Sequence, residues 1–140
     1  MSTDPAPQRA PRPPGVVLIA AVLVLEAIAL LALSVGFFLS IFGMDPISVG
    51  GSVFMTVLLL LIAAGLVAMA GKLAAGFRWP RSPSLVLQLF LVILAFPFFT
   101  AGNPLIGLLL IAPAAAVILS LFSKPVVDFT TRVTGPGRTL

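Results

Sequence analysis

The chain has 140 residues, of which 60% are hydrophobic and only 9% charged, with a formal net charge of +4. Ordinary soluble domains carry about 25% charged residues, so a soluble core cannot absorb this much apolar surface and the first question is the solvent. Cysteine, histidine and tyrosine are absent and the acids number four, Asp4, Glu26, Asp45 and Asp128; this excludes thiolate chemistry, disulfides, the common zinc and haem ligand sets and the usual general base near neutral pH.

The first fourteen residues, MSTDPAPQRAPRPP, hold five prolines and two arginines and no apolar run. They are expected to stay extended and solvated, so residues 1–15 are read as a disordered Pro/Arg-rich tail. Positive charge before an apolar stretch raises the question of a signal peptide. The stretch from Val16 to Phe42 is about twice the usual 7 to 15 residue signal core, and it is read as a retained first span.

Span 1 covers about 16–42, near the roughly 20 residues that cross the hydrocarbon layer at 1.5 Å per residue with some excess. It stops at GMDP, where Gly43, Asp45 and Pro46 supply turn chemistry. Span 2 runs over about 48–75. The motif GFRWPRSP follows at 76–83, where Pro80 and Pro83 are expected to stop the helix and push Trp79 and Ser82 towards extended conformations, with Ser82 or Ser84 capping the next helix. Span 3 covers about 84–100, AGNP makes a reversal at 101–104, and span 4 runs over about 105–122. Residues 125–140 are polar enough to be read as a short exposed tail with an interfacial turn around Val126 to Phe129. Pro97 and Pro113 are expected to kink spans 3 and 4 for packing, the freed carbonyls being satisfied by neighbours.

The expected fold is thus an all-α, antiparallel bundle of four transmembrane helices over 16–124. Arg9 and Arg12 precede span 1; Lys72, Arg78 and Arg81 lie between spans 2 and 3; Lys124, Arg132 and Arg138 follow span 4. The 1–2 and 3–4 connections carry no lysine or arginine. Basic residues near span ends are retained on the cytoplasmic side, so both termini and the middle loop are expected inside a bacterial plasma membrane. Four spans also bring both ends to one face. Within the motif, Trp79 suits the headgroup layer, while Arg78 and Arg81 suit anionic lipid phosphates at about 1 kcal/mol each. Lys72 and Lys124 are expected to snorkel to the same level. The alternative for the two arginines is an anionic ligand or an acidic patch on a partner protein.

Glu26 lies about ten residues into span 1, roughly 15 Å from its inner end. Its charged form is costly at that depth, so it either stays protonated or finds a partner across the bundle. Gln88, near the inner end of span 3, is the other intramembrane polar side chain expected to need a hydrogen bond; a direct reach from Arg81 to both is marginal by depth. Small residues Ala29, Ala32, Gly36 and Ser40 share one face of span 1, and span 2 offers Ala64, Ala68, Gly71 and Ala75. These stripes are expected to pack as close helix contacts.

Together, Glu26 in an apolar first span, the cluster Arg78, Trp79, Arg81, Ser82 and Pro83, Gln88 after it, and Asn103-Pro104 with Gly107 opening the last span make the chain resemble a family of small four-span integral membrane proteins of high-GC actinobacteria. The resemblance covers about 16–124. It implies topology and bacterial origin, with no activity to carry over. Pro80 departs from the small, helix-compatible residue such proteins have there, which stiffens the loop.

The leading functional expectation is a non-enzymatic accessory or interaction protein, without cofactor or nucleic-acid partner, facing anionic headgroups and a membrane-protein partner or further copies of itself. The alternative is a small proton-coupled transporter using Glu26 as an oligomer, since small multidrug exporters also place an acid in the first of four spans. A water-reachable pocket at the carboxyl would favour transport; a closed contact with Gln88 or a backbone group would disfavour it. A lipid-modifying enzyme lacks a base near any intramembrane serine and an acidic pair for magnesium.

Overall fold

A computed structural model of the chain describes residues 11–43 and 48–133, with the backbone alone at 132 and 133. Most of the proline-rich tail, the Asp45-Pro46 part of the first turn and residues 134–140 lie outside the described residues, as do Arg9 and Arg138. Five helices follow in order: α1 (Pro14–Ser40), α2 (Val49–Ala74), α3 (Arg81–Thr100), α4 (Pro104–Leu121) and α5 (Lys124–Val133). The first four are long and apolar enough to cross a membrane. Only 17% to 22% of each span's most apolar window is buried within the chain, so the remaining apolar side chains need hydrocarbon as their solvent.

The span limits shift for local reasons. α1 begins at Pro14, because a proline whose fixed φ suits a helix and whose missing N–H needs no partner is well placed at the first position. α3 begins at Arg81, three residues before the expected start. Pro80 occupies its N-cap with φ −68° and ψ −13°. Pro83 falls in the first turn, where no intrahelical N–H is lost, so Ser82 is helical rather than extended. The side chains of Ser82 and Ser84 do not cap this end. Helices α3 and α4 continue through Pro97 and Pro113.

Two glycines make the turns. Gly76 has φ +92° and Gly102 has φ +79°. After α2, the Phe77 N–H reaches the Lys72 carbonyl at 3.0 Å and the Gly76 N–H reaches that of Leu73 at 3.0 Å; after α3, the Asn103 N–H reaches the Phe98 carbonyl at 2.9 Å. This left-handed closure satisfies the last carbonyls of each helix without loop length, which only glycine permits cheaply.

Helices α1 and α2 pack as one hairpin and α3 and α4 as another, with α1 against α4 as the main seam between them. The core is Val16, Ile19, Leu23 and Ala27 of α1, Ala63, Leu66, Ala70 and Leu73 of α2, Val117 and Leu121 of α4, and Val126 of α5. It therefore sits towards the end that carries the α2–α3 turn, which is also the end of the described basic residues Arg12, Lys72, Arg78, Arg81 and Lys124.

Residues 124–133 are a helix, where the sequence reads as a tail. α5 has one apolar edge, and it lies under the bundle with Val126 and Thr130 fully buried. At Gly15 an added Cβ would stand 2.7 Å from Val126 Cγ2; the missing side chain lets α5 close onto the start of α1.

The small-residue stripes are not where close packing was expected. Ala29, Ala32, Gly36 and Ser40 are all exposed, and so are Ala64, Ala68, Gly71 and Ala75. Leucine and isoleucine set against alanines along the observed α1–α2 seam give more dispersion contact than two smooth faces, and dispersion is what holds helices together in lipid.

Candidate functional site

Glu26 and Gln88 meet across the two hairpins. The Gln88 Nε2 donates to Glu26 Oε1 at 2.9 Å and to Oε2 at 3.1 Å. Gln88 is fully buried and Glu26 half-buried. The sequence held a Glu26–Gln88 contact open, with spans starting at 16 and 84. α1 instead starts lower, braced by α5, and spans about 40 Å over its 27 residues against about 27 Å for the 18 of α4. Its twelfth residue past Pro14 then reaches the level of the second turn of α3. A side-chain amide offers two N–H donors to a carboxyl and remains neutral, so it holds Glu26 without bringing a second charge into the bundle.

Arg81 stands one turn below Ser84 on the same helix. Its Nη2 donates to the Leu121 carbonyl at 3.0 Å. That carbonyl closes α4, where the last turn lacks intrahelical donors and carries partial negative charge. Arg81 thus turns inward to tie α3 to α4, rather than outward to a headgroup as the sequence suggests. Replacing Arg81 by alanine is expected to remove about 1.5–3 kcal/mol, the range for a hydrogen bond to a charged group, less the share lost to its partial exposure. Arg81→Lys should recover only part, since an ammonium lacks the planar fork. Thermal unfolding in one detergent across the three proteins reads this order.

The other expected surface cations keep their outward positions. Arg78 and Lys124 are exposed, and Trp79 is 43% exposed. Lys72 Nζ lies 4.9 Å from the centroid of the Phe77 ring, a cation–π contact that leaves it at the level of the turn. Pro80 is fully buried beneath the loop, so the residue that departs from the resembled pattern also pins the turn to the bundle.

At the opposite end, hydroxyls join α1 and α2. Ser34 Oγ donates to the Thr56 carbonyl at 3.2 Å, and the Ser40 and Ser52 hydroxyls lie 3.0 Å apart. An open groove of about 460 Å³ runs beside them, lined by Ala32, Gly36, Ser40, Gly51, Ser52 and Met55 among others. A second groove of about 450 Å³ follows α1 from Arg12 to Ile28. Glu26 lines neither groove. Among the described residues, no three acidic, cysteine or histidine side chains gather as metal ligands would.

Comparison of the chain with protein-family models, with curated proteins and with solved structures gave no match. The site is therefore read from its own chemistry. Sequence reasoning singled out Glu26 and Gln88 and missed Ser84 as a buried member of their face; its spacing of four residues from Gln88 was the available signal.

Proposed function

We propose that this is a multi-pass protein of a bacterial plasma membrane that acts by contact, as an accessory or interaction protein, with both chain ends and the α2–α3 turn on the cytoplasmic side. The orientation rests on the positive charge gathered at one end of the bundle. Exposed Arg78 and Lys124 with Trp79 then face anionic headgroups.

The observation that carries the contact role is the outward turn of the small-residue face of α1. A lipid-facing surface has no use for Ala32, Gly36, Ser40 and Gly51 side by side with serine hydroxyls. A transmembrane helix of a partner protein does, because small residues let its backbone approach closely. The transport reading loses support on one count: the carboxyl is held by Gln88 and lines neither groove beside α1.

The chain contains no cysteine, so single cysteines report without background. Cysteine at Gly36 is expected to give a defined cross-linked adduct in native membranes, and cysteine at Ile93, 64% exposed on the other hairpin, is expected to give none. Recovery of the Gly36→Cys protein as a lone monomer under every mild extraction counts against the contact role. Proton-driven flux in vesicles that disappears with Glu26→Gln would reinstate transport.

A further inference from the structure

The face of α3 that meets Glu26 carries more polar atoms than the packing satisfies. Arg81, Ser84 and Gln88 follow one another at spacings of three and four residues, so they line one side of the helix. Ser84 and Gln88 are both 0% exposed. Arg81 Nε, Ser84 Oγ and Gln88 Oε1 are buried without a hydrogen-bond partner in the chain. Several other hydroxyls turn back onto nearby carbonyls, as Thr56 does on Ser52 and Thr100 on Pro97. Ser84 does not.

The three atoms are complementary. An arginine Nε only donates, an amide oxygen only accepts, and a serine hydroxyl does both. Orphaned buried polar atoms cost about 1–3 kcal/mol each, and buried water is the usual remedy where several polar partners line one space. Seven residues at 1.5 Å place Gln88 about 10 Å above Arg81, the length of a file of three or four waters at hydrogen-bond spacing.

We propose that this face holds a short file of water between Arg81 and Gln88, through which Glu26 exchanges its proton with the basic end of the bundle alone. A proton leaving the carboxyl passes to the nearest water, and the excess charge moves along the file to bulk solvent at the Arg81 mouth. The carboxylate left behind keeps both bonds from Gln88 Nε2, and uptake runs the same path in reverse. On α3 the polar face ends at Gln88: residues 89–99 read LFLVILAFPFF without a hydrogen-bonding side chain, and Ala95 is sealed. The site therefore exchanges protons without passing them across the membrane. Of the charged groups on the surrounding elements, Arg81 lies on α3, Lys72 on α2, and Lys124, Asp128 and Arg132 on α5, while α4 has none and α1 only Glu26 itself. This role is separate from the contact role and does not depend on it.

The test is water-edited solid-state NMR on the full chain in lipid bilayers, with water as the probe. Magnetisation from mobile water is expected to reach the Ser84 and Gln88 side chains nearly as fast as Arg81, and several-fold faster than Ala95. Ser84→Val is expected to slow the transfer at Gln88 several-fold while leaving that at Arg81 unchanged. Ser84 and Gln88 as slow as Ala95 in the unmodified chain would show a dry face and overturn the proposal, whatever the variant does. Ala95 as fast as Gln88 would overturn the one-ended path.

Discussion

Gln88→Leu is expected to destabilise the bundle by about 1–3 kcal/mol, the cost of leaving a buried polar group without its partner. The hydrogen bond itself is worth less, since polar bonds between membrane helices average about 0.6 kcal/mol and seldom exceed 2. The larger loss arises because leucine leaves the Glu26 carboxyl in place with no donor. Glu26→Leu should cost a similar amount, for the amide of Gln88 is then stranded in a fully buried position. Glu26→Gln should be close to neutral, because an amide oxygen still accepts from Nε2.

The double variant Glu26→Leu/Gln88→Leu decides the matter. Removing both polar groups also removes the orphan, so the pair should be more stable than either single variant. Unfolding monitored by helicity in a fixed detergent gives the four corners of the cycle. Additive losses would mean that the two side chains do not act on each other, and that the link between hairpins rests on the α1–α4 seam alone.

Gly36→Leu is expected to leave the fold intact and weaken partner association by tenfold or more, about 1.4 kcal/mol or above. An added Cβ at Gly36 meets nothing within 4 Å, so the bundle has no reason to move. Leucine also favours both the helix and hydrocarbon over glycine, and the thermal midpoint should hold or rise. The loss falls on the partner, whose helix can no longer approach the groove beside Ser40 and Ser52. Co-purification from native membranes measures it, with Leu61→Ala as the control on a surface that is 67% exposed. Equal recovery of partner with leucine at 36 would remove α1 from the interface.

Ser84 shows the limit of what linear pattern conveys at the site. Its place four residues before Gln88 was visible, but its burial is set by how α3 packs against its neighbours, which spacing along one helix does not state. Arg81 shows the same dependence: in the chain it is one of three cations beside a tryptophan, and only the position of the last turn of α4 gives its guanidinium a carbonyl to bind.

Four long apolar helices and their approximate limits were readable from hydropathy, glycine and proline because these respond to solvent and to backbone geometry, which are local. The polar pair was readable for the same reason, as a carboxyl or amide within a hydrocarbon-crossing segment announces its own need. Which face of each helix turns inward was not readable. In lipid the outer surface is as apolar as the core, so α1, α2 and α4 are hydrophobic all round and carry no stripe to mark their rotation. That choice was made by side-chain fit between leucines and alanines across the seams, and it left the small-residue face of α1 outside and the Arg81, Ser84, Gln88 face within.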